Sequence, residues 1–294
     1  DGVELEGDVL RPPTPDAPAA RAHVRLVGGG LGAGREGRFT VDLAIAFSGE
    51  KIPVNSLTAR TTVLAAMDTP RTFTRIESET TAAAKGEKFP GGVNLVATLG
   101  ATRAALLENY TAVLVLEGKE VVAIRAEFPR DANVLTGTWK LNARGADLAP
   151  FALGRTLPEI EAQGEGKFSS DAAFSEVHAS GRLDATAARL GMIQPELAAL
   201  GTVKLAAEFD LSQHGRALRI DRLTAQFTGA APVAQMQTLQ PFEFNLETGE
   251  LKVAEPAREF LSLNLQAVLL AWVQPFVKTL TLTCGAVRGE LVAT

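Results

Sequence analysis

Apolar and polar residues alternate along most of this chain. "RFTVDLAIAF" (38–47) puts Phe39, Val41, Leu43, Ile45 and Phe47 on one face, with Thr40, Asp42, Ala44 and Ala46 on the other. That two-residue period is the mark of a strand with one buried side. "NYTAVLVLEGKEVVAIRAEF" (109–128) reads as two strands around Glu117-Gly118-Lys119, and "PFEFNLETGELKVA" (241–254) as a hairpin around Thr248-Gly249. Further strands are predicted at 23–27, 56–65, 71–80, 92–100, 136–144, 177–185, 202–211 and 217–229. Short strands separated by Gly, Pro, Asn and Asp predict an antiparallel, mainly β protein.

Helical spacing is scarce. Short helices are predicted at 147–153, 194–200 and 268–277, with a weaker one at "TRAALLENY" (102–110). The most apolar long stretch, "LNLQAVLLAWVQPFV" (263–277), is too short to cross a bilayer as a helix, which takes about 20 apolar residues. It is also interrupted by Asn264, Gln266, Gln274 and Pro275.

That stretch belongs to a repeat. "LNARGADLAPFALGRTLPEIEAQGEGKF" (141–168) and "LNLQAVLLAWVQPFVKTLTLTCGAVRGEL" (263–291) both open with Leu-Asn and pass through a Pro-Phe segment. Each ends Gly-charged-apolar, at Gly166-Lys167-Phe168 and Gly289-Glu290-Leu291. "LDATAARLGMIQPELAALGTVKL" (183–205) is a weaker copy, and "VRLVGGGLGAGREGRFTVDL" (24–43) looks like the tail of another. Units of this kind bury their apolar sides against neighbours. The predicted fold class is therefore mainly β: an elongated, curved antiparallel sheet built from degenerate strand–short helix–strand repeats. Two segments are expected, 1–130 (β-rich) and 131–294 (repeats with short helices), forming one continuous sheet structure.

These repeats resemble the strand, Leu-Ala-x-x-x-Pro-Phe helix and Gly-rich return strand of AsmA-like proteins, a group that includes TamB. The likeness is best over 136–294. The resemblance implies a bacterial envelope protein with a periplasmic β-structure, tethered to the inner membrane by a helix upstream of this chain. It also implies a role in outer-membrane biogenesis and lipid transport, with phospholipid or another acyl-chain lipid as partner and further envelope proteins as possible partners. No residue-level binding motif comes with it. The chain opens at Asp1 without a basic or apolar leader, so a fragment or processed chain is expected, with any targeting segment upstream.

Composition narrows the function classes. A net charge of −5, with Lys and Arg scattered singly, gives no footprint for nucleic acid. One cysteine, Cys284, excludes an internal disulfide and a cysteine-cluster metal site. His23, His178 and His214 form no close-spaced ligand pair and read as surface or turn residues. "VGGGLGAG" (27–34) resembles a dinucleotide-binding loop, but a strand follows where that site needs a helix. "EIEAQGEGK" (159–167) reads as a solvated acidic strand face rather than paired catalytic carboxylates. No cofactor, metal or catalytic residue is predicted, and an enzyme is not expected.

A lipid chain needs an apolar surface reachable from solvent. The best lipid-groove candidates are the apolar faces of regular strands: Phe39, Val41, Leu43, Ile45, Ile124, Phe128, Val203, Leu205 and Phe209. Trp139 and Trp272 read as core anchors or as rings at a groove's rim. The competing reading is a structural or adhesive β-sandwich, whose closed core would bind no ligand.

Overall fold

A computed structural model describes residues 2–10, 19–31, 34–48, 55–69, 72–87, 89–148, 159–192, 198, 201–229, 232–269 and 286–293. Over these the chain is mainly β, and all strand pairing is antiparallel. It divides into two compact units: Asp1–Asn133 with Asp147–Leu157, and Val134–Ala146 with Pro158–Thr294.

The first unit is a meander. Its strands are β1 (Gly2–Leu10), β2 (Ala19–Gly29), β3 (Glu36–Ser48), β4 (Ser56–Thr69), β5 (Thr72–Gly86), β6 (Phe89–Arg103), β7 (Leu107–Leu116) and β8 (Lys119–Pro129). Each pairs with the next in sequence. The β7–β8 turn has positive φ at Glu117 (48°) and Gly118 (75°), the paired conformation whose twist suits a two-residue hairpin.

The second unit begins the same way, with β9 (Val134–Arg144), β10 (Glu159–Asp171), β11 (Glu176–Ala188), β12 (Val203–His214) and β13 (Ala217–Thr228) paired in order. At β13 the sheet forks. Residues 224–228 pair with β14 (Pro232–Thr238), whereas 217–220 pair with β15 (Phe242–Asn245). β15 continues to β16 (Leu251–Val253), and β14 to β17 (Leu261–Leu269) and β18 (Ala286–Ala293). Thr238 sits at the fork, where its hydroxyl accepts a hydrogen bond from the Leu223 amide at 2.9 Å. Behind it Phe242 and Phe260 are both buried and meet edge to face at 5.0 Å. The Gln240 side chain fastens the 255–259 turn, donating to the Glu255 and Arg258 carbonyls and accepting from the Glu255 amide.

The predicted hairpins and strands are all present, and the two-residue period is what placed them. The helices are different. "TRAALLENY" is a turn: β6 runs to Arg103 and β7 starts at Leu107, with the Ala104 amide donating to the Leu107 carbonyl. Its apolar run is the tip of a hairpin rather than a helix face. Of the segment 147–153, residues 147 and 148 fall in one helical turn, α1 (Gly145–Leu148), and Leu190–Met192 is a single 3₁₀ turn. Val268 belongs to β17 rather than to a helix. Residues 149–153, 194–197 and 270–277, together with Trp272 and Cys284, lie outside the described residues. A strand–short helix–strand repeat is therefore not what the described residues show. What the copies share is a pair of neighbouring antiparallel strands, β9–β10 and β17–β18 in the two clearest cases.

Candidate functional site: two apolar sheet faces

In an antiparallel ladder, residues directly opposite each other project from the same face. The register of the first unit thereby sorts its side chains. One row reads Gly28, Phe39, Val63, Ser78, Leu99, Ala112 and Ile124 across β2 to β8. Neighbouring rows on the same face carry Val41 with Leu26 and Leu114, Leu43 with Leu95 and Leu116, and Ile45 with Leu57 and Val93. Phe128 joins them from β8, opposite Glu108. All six candidates of this unit thus share one face. In the middle of that face Thr61 and Thr80 hydrogen-bond to each other at 2.8 Å, so neither hydroxyl is left unpaired among apolar neighbours.

This face is not the interior of a sandwich. Side chains in such an interior would be almost wholly hidden. Here Leu99 is 59% exposed, Ile124 40% and Ile76 38%, and Phe39, Val41, Leu43 and Ile45 are only half-buried. The buried residues of this unit are mostly small: Ala22, Ala65, Ala84, Ala123 and Ala126, with Leu116 and Val121.

The second unit has a matching face. Leu205, opposite Ala185 and Phe227, and Phe209, opposite Gly181 and Leu223, project from the same side as Val203. Val203 is buried, while Leu205 and Phe209 are half-buried. Trp139 is opposite Gly166, which is opposite Gly181 in turn. A Cβ on Gly166 would come within 2.6 Å of the indole Nε1, and one on Gly181 within 2.6 Å of its Cζ2. The ring therefore lies flat over two glycine-bared strands, and its plane is 11° from that of Phe209, 6.0 Å away. Gly166 lies within "GEGK" and Gly181 within "SGR"; bare backbone is what the indole needs there.

The opposite faces are polar and cross-paired. Arg60 bonds Asp42 at 2.6 Å, Arg25 approaches Glu4 at 3.3 Å, and Arg182 approaches Glu165 at 2.7 Å. The Arg60 guanidinium holds the Asp42 carboxyl below its ordinary value. Glu159 is paired with Arg189 at 2.5 Å, and Glu159, Glu161 and Glu165 are all exposed, so the acidic run is a solvated face. His178 meets Asp210 at 2.6 Å, and His23 and His214 lie 4.0 Å from Glu4 and Glu176. The described residues hold no group of three or more His, Cys, Asp or Glu that could bind a metal ion. Shallow troughs open on these polar faces. One of about 650 Å³ is lined by Arg182, Asp184, Glu208, Gln226, Gln237 and Asn264. Of the glycine run, Val27, Gly28 and Gly29 end β2, Gly30 and Gly34 have positive φ before β3, and residues 32–33 lie outside the described residues; Gly28 is bare because the Phe39 ring lies over it.

One charge departs from the pattern. Glu108 lies in the apolar phase of β7 and is buried, with 7% of its side chain exposed. Arg103 and Arg130 reach the same carboxylate oxygen through Nε, at 2.8 and 3.0 Å, and the Tyr110 hydroxyl donates to the other oxygen. Tyr110 foremost, then Arg130 and Arg103, lower the Glu108 carboxyl against the opposing effect of burial. The residue-by-residue reading missed this cluster. Its signal was available, because Arg103 and Glu108 are charges at positions where the alternation calls for apolar residues.

No helix among the described residues is long and apolar enough to cross a membrane. No protein-family model matches the chain, and neither curated proteins nor solved structures include a detectable relative.

Proposed function

We propose that this chain is a non-enzymatic protein of the bacterial periplasm that holds or conducts phospholipid, its acyl chains lying on the apolar sheet faces. The resemblance to AsmA-like proteins motivates the compartment, the inner-membrane tether and the role in outer-membrane biogenesis. In this reading each face is an elongated, curved groove whose repeating element is a pair of antiparallel strands.

One observation carries the proposal. Six expected groove positions fall on one face of the first unit, in rows continuous across six ladders, and that face is left half-exposed. Apolar surface of this extent is unfavourable in water unless something covers it. An acyl chain is a suitable cover because it needs no hydrogen bonds and fits a shallow surface. The same exposure disfavours the closed adhesive sandwich, which would hide these side chains.

Native mass spectrometry of the purified chain, followed by organic extraction and lipid analysis, tests this directly. Bound phospholipid at a defined stoichiometry is expected. Leu43→Asp with Ile124→Asp should remove the lipid while leaving the thermal midpoint nearly unchanged. A lipid-free protein that stays so after incubation with phospholipid vesicles would overturn the reading.

A further inference from the structure

The first unit's apolar face ends in a cation pair, and that ending has the chemistry of a headgroup site. Arg103 and Arg130 spend Nε on one oxygen of Glu108. A guanidinium carries five N–H donors in a planar fork, so the outer nitrogens of both remain as donors. The two side chains are 42% and 41% exposed, whereas the carboxylate between them is covered. Two cations on one anion leave a net charge of about +1, presented to solvent by the cations alone.

Phe128 stands opposite Glu108, and the apolar surface continues in the next rows. Tyr110 and Ile76 follow the Glu108 position, and Leu99 and Ile124 come one row further, all four exposed. Along β7 the face runs over nine residues from Glu108 to Leu116, eight rises of strand or about 27 Å. One leaflet of a bilayer core, and hence one acyl chain, spans about 15 Å. The face is therefore long enough for a whole chain laid along the strands with its head at the arginines.

We propose that Arg103 and Arg130 bind the phosphate of a phosphate-ester lipid whose acyl chain lies along the β6–β8 apolar face. This rests on the lipid-holding reading above and adds to it an orientation and a headgroup preference. Two adjacent guanidinium forks match the oxygens of a phosphate ester, which Arg binds through parallel charge-assisted hydrogen bonds. Glu108 is then a positioning residue: it holds both forks in place and prevents the pair from repelling each other.

Calorimetric titration of the delipidated full chain with three probes decides it: myristoyl lysophosphatidate, monomyristoylglycerol and glycerol 3-phosphate. The lysophosphatidate should bind about tenfold tighter than the glyceride, the size of one good charge-assisted contact. Glycerol 3-phosphate alone should not bind at millimolar concentration. The neutral triple variant R103Q/E108Q/R130Q should bind both lipids equally, at the glyceride's affinity. E108Q alone keeps both cations but releases their forks and should narrow the preference without abolishing it, and R103Q alone should weaken it too, so the test survives if the triple variant does not fold. Equal binding of the two lipids by the unaltered chain would overturn the headgroup site while leaving the apolar face in place. A preference that persists undiminished in the variants lacking Arg103 would overturn it too, as would glycerol 3-phosphate binding as tightly as the lipid. Failure of both lipids to bind would overturn the lipid-holding reading itself.

Discussion

Phe39 in the first unit and Trp139 in the second both lie over bare glycine, yet they stand in different surroundings. Phe39 covers Gly28 on the adjacent strand and is otherwise one member of an apolar row. Trp139 spans two strands to reach Phe209, and its unit also closes a buried Phe242–Phe260 corner at the fork. Among the described residues, both ring–ring pairs belong to the second unit. The same alternating pattern thus supports two regimes. In the first unit, stabilisation is spread over ladders and half-buried side chains, so no single position dominates. The second has nodes where one residue is packed on every side, and there a single change is costly.

Removing a node should have the largest effect. Phe260→Ala deletes a buried ring from the corner and should destabilise the second unit by about 3–5 kcal/mol, measured by urea denaturation followed through tryptophan emission. Leu99→Ala in the first unit is the counterpart. Its side chain is 59% exposed, so the loss should stay below about 1 kcal/mol. Similar losses at the two positions would remove the distinction between the units.

Filling the glycine floor comes next. Gly166→Val would drive a side chain into the Ser180 carbonyl as well as the indole, at about 3 kcal/mol, the upper end for an overpacked contact. Trp139 should lift from the sheet and its emission move to the red, while Gly7→Val, with open space at its Cβ, should leave the spectrum unchanged.

The buried carboxylate of the first unit gives a smaller, pH-dependent effect. Folding lowers the Glu108 pKa from its ordinary value of 4.5. A carboxyl lowered in this way stabilises the fold above that ordinary value and loses the contribution as pH falls through the lowered one. Thermal midpoints taken from pH 5 downward should therefore fall less steeply in E108Q than in the unaltered chain. The smallest effect belongs to the polar face. Asp42→Asn should leave the midpoint unchanged, because an exposed cross-strand pair such as Asp42–Arg60 is screened by solvent.

The strands, the hairpin turns and the common face of Phe39, Val41, Leu43 and Ile45 were legible because a two-residue period encodes them directly. The helices were not. In "TRAALLENY" the apolar residues have helical spacing, but the flanking residues pair with β5 and β8 and Glu108 is reached by Arg130 from beyond β8, constraints from distant sequence that spacing does not carry. Register between strands was also beyond the sequence. Phe39 and Ile124 are 85 positions apart in the numbering, and only five successive ladders place them in one row. The same holds for Trp139, whose glycine floor comes from two other strands. Glycines at 166 and 181 read as turn or bulge signals until the ring above them is known.

The fork at β13 bears on how the two units fold. Every ladder of the first unit joins strands consecutive in the chain, so it can zip up one strand at a time, each closing only a short loop. In the second unit β17 has β14 as its partner, with the β15–β16 hairpin lying between them in sequence. That pairing closes a longer loop and waits until the hairpin has moved onto the other branch of β13. Refolding should therefore show its slow phase in the 232–269 region, with the meander complete before it.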